Sequence, residues 1–255
     1  QALTLDAGES GDITADASIT GGGAFTVVDG AVQQYTGAIE VASLDIQDAT
    51  NSVTLDGAVT TETTLDINSG GTLTQNASVT AGTSLDYDAA GTIDINAGIT
   101  ATQGPIDIDA VGLTTITEPG NIDSGGAVTF GADKSGELKT AANIKTSDDD
   151  VTFTNKVTLS GGDAKVLIDT TGTTAGDILF KSEVLTGGQS FTLDAGESGD
   201  ITADKSITGG GAFTVTDGAV QQYTGAIEVA SLDIQDATTA VTLDGAVQAD
   251  TSVDI

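Results

Sequence analysis

Apolar and polar residues alternate along this chain in short bursts, without the longer wave of a helix. The main bursts are LTL (3–5), FTV (25–27), LDI (44–46), LDI (65–67), LDY (85–87), IDI (106–108), VTF (128–130) and VTF (151–153), at nearly even spacing. In each, two apolar residues face one side of an extended segment and a polar residue faces the other. Secondary segments lie between them: VTL (53–55), TLT (72–74) and IDI (93–95), then AVT, SVT and GIT at 58–60, 78–80 and 98–100. A turn of about 21 residues thus predicts two or three short strands separated by Gly, Asp, Asn or Ser. The stretch AVQQYTGAIEVA (31–42) does not read as a helix, because Thr36, Gly37 and its β-branched residues interrupt the period. Glycines in GGGA (21–24), NSGG (68–71) and SGGA (124–127) mark sharp turns, where positive φ is open to them.

Sandwich domains need longer strands in units of roughly 100 residues. Propeller blades repeat at about 40–50 residues with aromatic marks, and this chain has only 3 Tyr, 6 Phe and no Trp. The pattern fits an all-β, right-handed parallel β-helix of about 21 residues per coil. Coils stacked about 4.8 Å apart make twelve of them a rod of roughly 58 Å. Its interior is predicted to be ladders of Val, Ile and Leu with occasional Phe.

A longer repeat overlies this rhythm. TLDAGESGDITAD at 4–16 returns unchanged at 192–204, and residues 1–67 match 189–255 at 56 of 67 positions. Two further intervals of the same size reach FTL (191–193) from VTF (151–153), so the spacing predicts nine coils per repeat. The chain reads as one continuous β-helix segment, 1–255. Residues 1–188 form one full repeat of about nine coils and 189–255 begin the next copy, with further copies expected in a longer chain. Copies this similar argue against a specialised site, which belongs on one atypical coil.

Charge narrows the classes of function. The net charge is −31, the seven positive residues are all Lys between Lys134 and Lys205, and residues 1–133 hold none. Such a surface excludes a nucleic-acid partner and suits salty surroundings or cations held between carboxylates. No apolar run is long enough to span a bilayer, so no transmembrane segment is predicted. The chain opens mid-pattern at Gln1 without a signal peptide, as expected of a mature or excised fragment. It contains no Cys, so disulfides are excluded as staples.

The coil length, with the phrases SGGAVTFGAD (124–133), DDDVTFTNKVTLSGG (148–162) and GAVQQYTGAIEVASLDI (30–46), resembles the repetitive surface proteins of Gram-negative bacteria. These are the filamentous-haemagglutinin-like and autotransporter-like β-helical adhesins. The resemblance implies a secreted, cell-surface protein that acts as an adhesin, filament or sheath. The chain departs from the class in its strong acidity and in showing neither a secretion-signal domain nor a membrane anchor. No receptor-binding residue carries over.

Candidate chemistry rests on carboxylates. Asp45, Asp66, Asp86 and Asp107 are the middle residues of successive main segments and stack outward if the register holds. Like charges that close are relieved by raised pKa values, by outward splay or by cations. Two readings follow: a solvated acidic face, or weak Ca²⁺ binding, with no cofactor required. Asp148, Asp149 and Asp150, with Glu137 and Asp163 on nearby coils, read as a turn or as a second metal cluster. Dedicated calcium turns and EF-hand loops are absent.

Asp94 with Asp109, or Asp86 with Asp88, are formal glycosidase pairs, but acidic residues are common enough here to pair by chance. No His or Arg stands by as base or anion binder. Gly21, Gly22 and Gly23 lack the Lys and helix of a phosphate loop. Tyr35 and Tyr223, equivalent in the two copies, read as packing against a coil corner, with sugar stacking the alternative. Lys156 beside Asn155 raises a Lys–Asn crosslink on paper only. The leading expectation is a non-catalytic module of an extracellular rod or filament that self-associates into a filament, sheath or lattice. An adhesin binding carbohydrate or a surface protein through its flank is the alternative, and a polysaccharide-degrading enzyme a distant third.

Overall fold

The alternating segments are strands, and each pairs in parallel with the strand one coil away. The computed structural model describes residues 1–161 and 165–255. It is a right-handed parallel β-helix of coils of about 20 residues, with three strands per coil. One row of inward residues on the first sheet runs Leu3, Phe25, Leu44, Leu65, Leu85, Ile106, Val128, Val151 and Ile178. The second sheet carries Val53, Leu73 and Ile93 in the same relation, and the third Val59, Val79, Ile99 and Ile122. On the third sheet the strands Val59–Thr61, Val79–Ala81 and Ile99–Ala101 start one residue late, because Ala58, Ser78 and Gly98 belong to the corner. No helix among the described residues is long and apolar enough to cross a membrane.

The interior is a single apolar column. Phe130, Phe153 and Phe180 occupy one inward row and stack nearly flat, with centroids 5.3 and 4.6 Å apart and interplanar angles of 3° and 1°. Phe191 continues the column edge-on to Phe180. The three tyrosines are also inside. Tyr35 and Tyr87 are 0 % exposed and Tyr223 is 1 % exposed, which removes the sugar-stacking alternative and places the rings in the core proper, inside the corners. Each hydroxyl donates to a buried glutamine: Tyr35 to Gln33 at 2.9 Å, Tyr87 to Gln75 at 3.2 Å, Tyr223 to Gln221 at 3.3 Å. The glutamine amides in turn donate to main-chain carbonyls, as Gln75 does to Ala77 and Ala97, both at 3.0 Å. The polar insert is thereby satisfied inside an aliphatic tube.

The glycines of GGGA (21–24), NSGG (68–71) and SGGA (124–127) serve a purpose other than positive φ, which is taken up instead at Gly8, Gly131, Gly187, Gly188, Gly196 and Gly209 among others. Gly21 to Gly23, Gly70, Gly71, Gly125 and Gly126 all keep φ outside that region. What several of them require is closeness. A Cβ on Gly71 would lie 1.8 Å from the Asn51 carbonyl oxygen, and one on Gly23 would lie 2.0 Å from that of Gln1. The coil below fills the space a side chain needs.

The long repeat and the coil do not share a period. Leu3 belongs to the first sheet, but its equivalent Phe191 pairs with Val166 and Phe213 on the third. Ile13 of the second sheet has its copy Ile201 on the first, and Ile19 of the third has its copy Ile207 on the second. The long strand Ser43–Leu55 pairs on two sheets and counts as two strand positions. Among the described residues the repeat therefore spans 26 strand positions, eight coils and two-thirds, where even spacing predicted nine. The cause is one long coil. The step from Val151 to its partner Ile178 takes more chain than any other on the first sheet. The extra length includes residues 170–177, folded by the Thr170 hydroxyl donating to Gly176 O (2.6 Å) and by Ala175 at φ 54°. Equivalent residues thus face directions one-third of a turn apart, and about 42 Å apart along the axis at about 4.8 Å per coil.

Candidate functional site: the stacked carboxylates

On an extended strand with Leu and Ile facing in, the residue between them must face out. Parallel pairing without offset then places that residue directly above its counterpart. Asp45 pairs with Asp66, Asp66 with Asp86, and Asp86 with Asp107, so the row read from the sequence exists. It ends at Thr26 on one side and Thr129 on the other. An open groove of about 460 Å³ runs along the row between Thr26 and Asp86.

A second outward row lies two residues further along: Asn68, Asp88 and Asp109. It is covered in part by the segment 131–136, which returns over the sheet. Gly136 N donates to Ala110 O (2.9 Å), Asp133 N to Asp109 Oδ2 (2.9 Å), and Lys134 forms an ion pair with Asp88. The Asn155 amide holds Lys134 O at 2.6 Å. Asp109 is only 3 % exposed as a result.

Burial and mutual repulsion act together on these groups. Asp86 is pushed up to about 6, first by burial, then by Asp66, Asp88 and Asp109, with Lys134 opposing. Asp107 is also pushed up to about 6, by burial and by Asp109, Asp86, Asp133 and Asp88. Asp66 moves in the same direction, from burial and then Asp45 and Asp88. A carboxyl group whose folded pKa is raised stabilises the fold fully below its unfolded value near pH 4, and that contribution is lost as pH rises through about 6. Asp56, lowered by hydrogen bonds from Asn76 and Gln34, stays ionised throughout this window and does not oppose the trend. The melting temperature is therefore expected to rise between pH 7.5 and pH 5. Asp107→Asn is expected to add about 1 kcal/mol at pH 7.5, after discounting for solvent screening, and to flatten the pH profile. Thermal melts across that range check it; a melting temperature that falls steadily on acidification contradicts it.

The other candidates have local partners. Asp148 Oδ1 accepts from Thr174 N (2.7 Å) and Ala175 N (3.2 Å), and Asp150 Oδ1 accepts from Asp177 N (2.8 Å). The series continues coil by coil, Asp177 Oδ1 accepting from Asp200 N (2.8 Å) and Asp200 Oδ1 from Val220 N (3.0 Å). Asp149 contributes its main-chain carbonyl, which accepts from the Thr146 hydroxyl. The cluster thus builds turns. Glu137 pairs with Lys156 at 3.3 Å, and Asp163 lies outside the described residues. Among the described residues no three His, Cys, Asp or Glu side chains gather as a metal ligand set. Asp94 sits on the second sheet and Asp109 on the first, so that pair does not converge. Asp86 and Asp88 share a face, with Lys134 on Asp88. Lys156 and Asn155 turn to different partners, Glu137 and Lys134 O.

The residue that sequence reading undervalued is Asp109. It has the same alternating position as Asp88, and its burial depends on a segment one coil further along the chain. No family model, curated protein or solved structure matches the chain.

Proposed function

We propose that the protein is a structural module of an extracellular, cell-surface rod or filament, without catalytic activity, that associates with further copies of itself. The observation that carries this reading is the third-of-a-turn rotation between near-identical copies. A binding strip that depended on one face would be broken by that rotation. Strand-forming pattern survives it, because any of the three sheets accepts the same inward and outward alternation. Selection for length and stacking is compatible with the rotation. Each coil adds a fixed rise, and each contacts only its neighbours. The surface location and the sheath or filament role draw on the resemblance to β-helical adhesins. The fold is consistent with that class and is shared by others.

Adhesion through the flank is the second reading. Val111 and Leu113, 53 % and 39 % exposed at the corner between the first and second sheets, favour it. Imaging of native material by electron microscopy with an antibody label separates the two. Continuous fibres or a surface lattice support the structural module. Isolated rods projecting from cells, with loss of cell attachment in Val111→Ser/Leu113→Ser, support the adhesin and overturn the first reading.

A further inference from the structure

We infer that Asp107 and Asp109 bind one hard divalent cation, of the calcium type, which ties the segment 131–136 to the outer face of the first sheet. Two carboxylate oxygens carry the inference. Asp107 Oδ1 and Asp109 Oδ1 are both shut off from solvent, and neither has a hydrogen-bond partner. They belong to one outward face, two residues apart on the strand Ile106–Ala110. Asp109 as a residue is only 3 % exposed, and only its other oxygen is satisfied, by Asp133 N. A buried, unpartnered carboxylate oxygen is costly, and two on one face add repulsion to that cost.

The cation that the chain itself brings does not relieve it. Lys134, carried by the covering segment, pairs with Asp88 one coil below. Residues 1–133 supply no positive side chain at all. A calcium-type ion suits the geometry because it takes oxygen ligands from carboxylates, main-chain carbonyls and water in a flexible set of six to eight. Asp107 and Asp109 would supply two of those oxygens, and main-chain carbonyl and water oxygens would have to complete the set. The inference is independent of the proposed function, since a rod or an adhesin can hold the same ion.

The test uses the full chain, freed of metal with a chelator and studied at fixed ionic strength. Titration with calcium chloride by calorimetry is expected to show one saturable site per chain, with Kd of about 10⁻⁴–10⁻³ M. Amide exchange in 131–136 is expected to slow when calcium is bound. At about 100-fold over Kd the melting temperature should rise by about 5 °C. Asp109→Asn and, separately, Asp107→Asn should abolish the saturable site. Glu118→Gln, which removes one exposed charge elsewhere, should leave it intact. If calcium raises the melting temperature equally in the wild type and in Asp109→Asn, the ion is only screening the net charge, and the inference is overturned. It is overturned too if no saturable binding appears and the pair is relieved by a proton alone.

Discussion

Phe153→Ala is expected to lower stability by about 3–5 kcal/mol, the largest loss from any single truncation in the chain. The ring sits between Phe130 and Phe180 at 5.3 and 4.6 Å, nearly parallel to both, and is 1 % exposed. Its removal leaves a void bounded by stiff rings and by a backbone fixed in register on both sides, so the walls cannot collapse into it. Two stacking contacts are lost as well. Because each coil touches only its neighbours, the damage should concentrate in the coils of Phe130, Phe153 and Phe180. Amide exchange there should accelerate well before exchange near Leu65 does. Denaturant melts measure the total, and exchange mass spectrometry its location. A loss below about 1 kcal/mol, no more than that of an average point substitution, contradicts the packing described.

Gly71→Ala is the second large effect, and it comes from adding one carbon. The new Cβ would stand 1.8 Å from Asn51 O and 2.9 Å from Asn51 C. These are backbone atoms, so no side chain can swing aside, and the two coils must part at that corner. Column-mates show the same closeness: a Cβ on Gly91 would lie 2.6 Å from Gly71 O, and one on Gly136 would lie 1.8 Å from Gly112 O. A destabilisation of about 3 kcal/mol is expected, at the upper end for overpacking. Gly22→Ala supplies the contrast, since nothing lies within 4 Å of its added carbon and its φ is not positive. That variant should be neutral or up to about 1 kcal/mol more stable, through the entropy of the unfolded chain. Equal losses in the two variants would show that chain flexibility, and not coil contact, is what the corners need.

These two sites also show what the sequence could convey. Strand positions and the Asp45–Asp107 row were legible because alternation with a period of two and a nearly constant coil length fix both the inward face and the vertical neighbour. The role of Gly71 was legible only as a turn, because closeness to the coil below is a property of the stack. Tyr35 sat between polar residues in GAVQQYTG, and nothing local marked Gln33 as its buried acceptor. The covering of Asp109 by residues 131–136 is equally non-local. The count of nine coils failed at a single place. Between Val151 and Phe191 the sequence offers several segments of equal merit, and the long coil uses one that even spacing does not select, Ile178–Phe180, for the first sheet. A slip of one strand there turns every later residue to a new face.

That turn is the centre of the account, and it is directly measurable. Cryo-electron microscopy of a chain carrying six consecutive copies of residues 1–188 gives the rise and rotation per copy. A rise of about 42 Å with one-third of a turn between copies is the predicted result. Copies stacked without rotation, at nine whole coils each, or copies joined as separate globules, would contradict it.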